Sequence, residues 1–394
     1  MLVIECWILA ISMTPGCMSI ALAQRERDLH CRAVSRAASI GLVAIVTYRE
    51  TDPATREEAL SILGRAANDE DPVVRASAIR ALRDCGPIAR PALDSLISAM
   101  NSRSWETGAD AIQAIGAMGK EGRGAIGPMI EIAVSPRAGW TATLAVEALG
   151  EIGAGDPQAV TALVRILRDE SSPWRVRAVA AAAMHKVGAA PPDVAAGLAL
   201  LAKGLTDPDA SIRDFAVKKL GAVGLPAAGQ VPALAVVVRK DPDYWTATDA
   251  MEAIEKIGVI DKGVLDALAE VARSPSDRSL QAVMVLNDIG PRAGPTAPVL
   301  VDVLRDKARN PTEREYAAIA LGNLKDKTNV SVPALVESLR DHQFIIRCAA
   351  AESLGILGEK SALSDLRALT KDKEPIVRVT AARVIRRIEG GDGR

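Results

Sequence analysis

Side chains able to do chemistry are few in this 394-residue chain, and they rarely sit together. The three histidines, His30, His185 and His342, are followed by Cys31, Lys186 and Gln343, and no metal cluster or nucleophile–base pair forms around them in the sequence. If an N-terminal leader is removed, Cys31, Cys85 and Cys348 remain of the five cysteines, an odd number at separations too wide for a disulfide framework or metal-ligand spacing, and Cys85 falls on an apolar helical position, where a buried free thiol is expected. Gly122-Arg123-Gly124 reads as a loop, because a lone glycine cluster is weak evidence for phosphate binding. No catalytic residue, metal or cofactor is therefore expected.

Two residue types are organised instead. Arginine recurs at Arg75, Arg177, Arg213, Arg314, Arg347 and Arg378, with Asp69, Asp207, Asp341 and Asp372 each six residues before one of them. This spacing predicts a structural ladder of charge-assisted hydrogen bonds; the competing reading is a groove that recognises acidic partners or phosphates. Trp105, Trp140, Trp174, Tyr244, Trp245 and Phe344 form a second column, and Trp-Thr-Ala-Thr occurs twice, at 140–143 and 245–248. Where the Trp105, Trp140 and Trp245 stretches would carry the arginine, Gly108, Ala142 and Ala247 stand in its place. Each Trp could fill a gap between helices or join a partner-binding ridge, since Trp and Tyr are frequent binding anchors.

The elements that position these residues follow from an internal repeat. A sixteen-residue block of the form D-P-x-x-R-x-x-A-x-x-A-L-x-x-I-G begins at Asp71, Ser104, Ala138, Pro173, Asp209, Asp243, Pro275, Asn310, Gln343 and Glu374. Its eighth residue is alanine in all ten copies (Ala78, Ala111, Ala145, Ala180, Ala216, Ala250, Ala282, Ala317, Ala350 and Ala381), and its twelfth is always a large aliphatic residue. Apolar positions 8, 9, 12 and 15 lie on one helix face. Proline in the first turn and glycine at the sixteenth position are start and stop signals, with Lys325 and Glu389 the exceptions to the glycine. The alanine column reads as the closest approach of neighbouring helices. A first helix precedes each block, as in Val231-Pro232-Ala233-Leu234 and Val332-Pro333-Ala334-Leu335, so each unit is a helical hairpin.

This pattern resembles HEAT repeats, in particular the short HEAT-like class also found in phycobilin lyases, over residues 51–389. The resemblance implies an all-α, right-handed α-solenoid of ten to eleven hairpins. HEAT-like hydroxylases hold two irons with His-Glu dipeptides, and this sequence contains none. Architecture of this kind serves scaffolds as well as enzymes, so a lyase-like or DNA-glycosylase-like enzyme is the alternative to a non-enzymatic scaffold that binds a protein or peptide as a monomer. The side chains expected on the concave helices, mostly Ala, Leu, Val and Ile, favour the scaffold.

Composition agrees with this reading. Hydrophobic residues make up 49% and aromatics only 3%, which suits close-packed helices over an aromatic-rich sandwich. Forty-eight Lys and Arg balance 49 Asp and Glu for a net charge of -1, so no global positive field recruits nucleic acid. Residues 1–23 read as a signal peptide ending in Ala21-Leu22-Ala23, although Glu5 interrupts the apolar run and no basic residue precedes it; a buried first helix is the other reading. Cys17 after Gly16 fits a lipoprotein site poorly because of Thr14 and Pro15. Cleavage would make the chain an exported, soluble protein, and retention would leave it cytoplasmic; no stretch is long and apolar enough for stable membrane insertion. Residues 24–50 are expected to form a degenerate N-terminal helix, and 390–394 a tail after a last helix whose arginines give it a capping face.

Overall fold

The computed structural model describes residues 35–47, 51–135, 139–325 and 330–390. The leader 1–23, with Cys17, lies outside them, as do His30, Cys31 and residues 391–394. Among the described residues every regular element is helical. None of these helices is long and apolar enough to cross a membrane. The chain divides into two compact units, Met1–Leu200 and Leu201–Arg394, where the repeat pattern alone reads as one array.

All ten blocks are helices, and their ends are written locally. Asp71, Asp209 and Asn310 cap by accepting a hydrogen bond from the backbone N–H two residues on, at 2.8, 2.8 and 2.9 Å. Proline occupies the first turn of Pro72–Cys85, Pro311–Asn323 and Pro375–Ile388. Seven of the closing glycines have positive φ, where a Cβ would be strained. Gly153 departs from this, with φ −91; there a Cβ would lie 2.5 Å from Leu149 O, so space and not backbone angle demands glycine. Lys325 takes the left-handed position itself, at φ 52, the only positive-φ residue other than glycine among those described.

In the first unit, hairpins such as Leu93–Met100 with Trp105–Ala117 and Pro157–Arg168 with Trp174–Val187 stack so that block helices pack on block helices. Ser35–Thr47 packs against Pro72–Cys85 and so continues the block-helix layer at its start. The second unit repeats the arrangement from Ala210–Val223 to Pro375–Ile388. All ten alanines of the eighth position are wholly enclosed, which a larger side chain would prevent at the same helix spacing. The twelfth-position residues are enclosed too, except Ile385 in the last helix. That helix also exposes Ile376 and Val379, so its outer face is apolar as well as basic.

Gly122-Arg123-Gly124 is not an open loop but part of a 3-10 turn, Gly119–Ala125. A Cβ on Gly122 would lie 2.8 Å from Ile115 O, and Arg123 donates to Ala154 O of the next repeat. Close packing of the turn accounts for the glycine without any ligand.

Candidate functional site

The arginine column is a ladder, but its register differs from the one the sequence spacing suggests. Within a repeat, Arg75, Arg213, Arg347 and Arg378 each donate through Nη1 to two backbone carbonyls, six and five residues earlier, at 2.7–3.2 Å. Arg177 and Arg314 donate through Nε to Leu167 O and Leu304 O, the last turns of their first helices. These carbonyls lack helical partners, so the guanidinium satisfies a helix end. The aspartate carboxylate is approached from the preceding repeat: Arg213 grips Asp241, Arg314 reaches Asp341 and Arg347 grips Asp372. Asp241 escapes the sequence reading because the arginine six residues after it is missing.

Burial pushes the Asp341 carboxyl up, but hydrogen bonds from Arg314 and the Gln343 N–H outweigh it and hold the group below its ordinary range. Asp372 is lowered chiefly by the hydrogen bonds from Arg347. Side-chain exposure is 3% and 4% for Arg314 and Asp341. Groups this enclosed, and paired across a junction, hold repeats together.

Among the described residues, two of the four blocks without their own arginine receive one from the following repeat. Arg278 donates to Asp241 O at 2.9 Å, serving the end left open by Ala247. Arg309 donates to Ala272 O at 2.9 Å and to Arg273 O, serving the end left open by Ser279, and pairs with the buried Glu313. Neither arginine occupies the fifth block position, which is why the column alone does not reveal them.

The aromatic column behaves differently. A side chain in the first helical turn leans toward the helix start, so these rings project off the helix ends instead of entering the core. Trp105, Trp140 and Trp245 are exposed by 57%, 49% and 69%, and Tyr244 and Phe344 are exposed as well. Trp174 is only half-buried. In the first unit Trp105 and Trp140, from successive repeats, meet edge to face with ring centres 5.4 Å apart. They border a cleft of about 660 Å³ whose other walls include Arg103, Gly108, Ile112, Glu131 and Ile132. Ser104 caps the Trp105 helix through the Thr107 N–H and also donates to Glu106 at 2.8 Å. In the second unit Tyr244 and Trp245 also meet edge to face, at 5.1 Å. Asp243 caps their helix through the N–H and hydroxyl of Thr246, which lower its carboxyl pKa.

The remaining reactive groups stand apart. Cys85 is a buried free thiol, pushed up to about 11 by burial and by Asp84. Cys348 is raised as well, first by burial. His185 is exposed, and His342 approaches Asp341 at 3.2 Å. Among the described residues no group of three or more His, Cys, Asp or Glu is placed to hold a metal ion.

A family model described as HEAT repeats matches residues 93–185, 198–287 and 297–386. No curated protein sequence matches the chain. Among solved structures, yeast importin-β (Kap95p) is similar over 94% of this chain and 53% of its own, at 15% identity and a TM-score of 0.54. Kap95p in a study of its binding to RanGDP is similar over 95% and 59%, at 13% identity and a TM-score of 0.53. The chain thus spans little more than half the length of these structures, and at such identities the likeness is one of fold.

Proposed function

The chain belongs to the HEAT-repeat family, and on that premise we propose that it is a non-enzymatic scaffold binding a protein or peptide through exposed aromatic anchors. The observation that carries this reading is the pair Trp105 and Trp140. Two large rings from successive repeats stay about half exposed beside a cleft, although a ring used only for packing gains by being covered. Tyr244 and Trp245, neighbours at the start of one helix of the other unit, add two more exposed rings. Kap95p, a solenoid of similar fold, is described as binding RanGDP, so architecture of this kind is compatible with a protein partner.

The test is affinity capture from an extract of the source cells, with the full chain immobilised. Trp105→Ala/Trp140→Ala should lose a retained protein while keeping its helical content and cooperative unfolding. If the folded double variant retains the same proteins as the parent, the anchor reading is wrong.

A further inference from the structure

Three neighbouring block helices of the second unit, Tyr244–Ile257, Ser279–Ile289 and Pro311–Asn323, share an open side. Their eighth and twelfth block positions are enclosed. The thirteenth position of one block helix meets the eleventh of the next, so that a Cβ on Gly221 would lie 3.0 Å from Ala253 and one on Gly322 2.7 Å from Ser353. Helical spacing leaves the third, sixth and tenth positions toward the remaining side. Ser279–Ile289 is the one block helix of the ten with large apolar residues at both the sixth and tenth positions, Leu280 and Met284. Tyr316 and Ile319 stand at the seventh and tenth positions of the following helix, and all four side chains are half-buried. Trp245, 69% exposed, holds the third position of the preceding helix. Charge on these stretches is one-sided, although the whole chain is nearly neutral. Glu252 has Lys256 at 3.5 Å, whereas Glu255, Asp277 and Glu315 have no basic partner among the described residues. The crowding shows in Glu255, whose carboxyl is pushed up by burial and then by Asp288 and Glu252.

We infer that this side of the second unit docks a basic amphipathic helix of the protein partner, its apolar stripe on Leu280, Met284, Tyr316 and Ile319 and its Lys or Arg residues toward Glu255, Asp277 and Glu315. The inference rests on the scaffold reading and adds the chemistry of the partner. Leu280 and Met284 lie one turn apart, about 6 Å, and the next block helix is about 10 Å away, so the apolar patch has the dimensions of a single helical stripe. Met284 can adapt its shape to the residue it meets, and Trp245 offers an exposed ring beside the patch. Like-charge repulsion among the carboxylates of the free protein becomes attraction once cations face them, which is the complementarity that selects a partner. The same charges repel nucleic acid and acidic segments.

The probe is an amidated peptide of Leu and Lys only, about four helical turns long with Leu at i, i+3 and i+4 spacing, added to the full chain. Its controls are the Leu/Glu counterpart and a Leu/Lys peptide of the same composition with that spacing scrambled. The readout is the methionine methyl NMR signals, with Met284 identified by its loss in Met284→Leu. A saturable shift of the Met284 signal is expected while the enclosed Met184 of the first unit stays unmoved. The scrambled peptide should bind at least about tenfold more weakly, and the Leu/Glu peptide should give no saturable shift. Glu255→Gln/Glu315→Gln should weaken binding severalfold and leave the urea midpoint unchanged or higher, because it relieves like-charge crowding. An unmoved Met284 signal, equal binding of either control, undiminished binding in the double variant, or a fall in its midpoint, which would mark those carboxylates as structural, would overturn the assignment. If the peptide fails to bind while Trp105→Ala/Trp140→Ala still loses a partner, only the basic-helix chemistry is wrong. If it binds while partner capture is indifferent to those rings, the docking surface stands and the first-unit anchor falls.

Discussion

Arg347 donates two hydrogen bonds to the carboxylate of Asp372, at 2.7 and 2.8 Å, and a third at 2.8 Å to the backbone carbonyl of Asp341 in its own repeat. Asp341 in turn accepts from Arg314, and the Asp372 carbonyl accepts from Arg378. Three successive repeats of the second unit are thereby joined by alternating side-chain and main-chain acceptors, and the guanidinium groups of Arg314 and Arg347 each span one repeat junction.

Removing one member of the most enclosed pair should be expensive. Arg314→Ala leaves the Asp341 carboxylate buried without its main donor, and a loss of about 3–5 kcal/mol is expected. Lys262 and Asp266 form an exposed pair on one helix, so Lys262→Ala should change stability by less than about 0.5 kcal/mol. Urea unfolding of the two variants checks the contrast, and equal effects would contradict it.

The same aspartates set an acid limit. Asp341 and Asp372 have native pKa values below those of the unfolded chain, so they bind fewer protons when folded. Their contribution to stability is present above the ordinary carboxylate value of about 4 and fades as pH falls through the depressed native values. The urea midpoint should therefore drop below about pH 4. In Arg347→Ala this drop should be shallower, because the cause of the Asp372 shift is gone.

The alanine column should resist enlargement. Ala216 and Ala250 are wholly enclosed in adjacent block helices of the second unit, and replacing either with Leu should cost about 1–3 kcal/mol by overpacking. Unchanged thermal midpoints in both variants would show that the helices do not meet at this column.

Lys325 holds a left-handed backbone that costs an L-residue about 1–2 kcal/mol. Glycine relieves this at some entropic expense, so Lys325→Gly should raise stability by about 0.5–1 kcal/mol in denaturant unfolding. A fall in stability would mean that the lysine side chain makes a compensating contact.

We also propose that residues 1–23 direct export, since Ala21-Leu22-Ala23 ends the apolar segment in the form of a cleavage site. Expressed in a bacterium with its own leader, the chain should be recovered outside the cytoplasm with an amino terminus at or near Gln24. Intact Met1 on cytoplasmic protein would remove this reading.

Repeat period, helix ends and the enclosed alanine column are all legible in the sequence, because each depends on neighbours within a single helix or turn. Asp71 announces a cap, Gly86 a stop and Ala78 a close contact from their own offsets in the block. The family resemblance follows from the same local regularities. What the sequence could not decide is which residue faces which across a repeat junction. Asp341 lies six residues before Arg347, yet its carboxylate belongs to Arg314, 27 residues away, because stacking brings the loop of one repeat beside the helix start of the one before. Nor could it show that Arg278 and Arg309 fill the openings left by Ala247 and Ser279. Exposure of Trp105 and Trp140 was likewise settled by direction in space: a first-turn ring leans off its helix, and only the packed neighbours determine whether anything covers it.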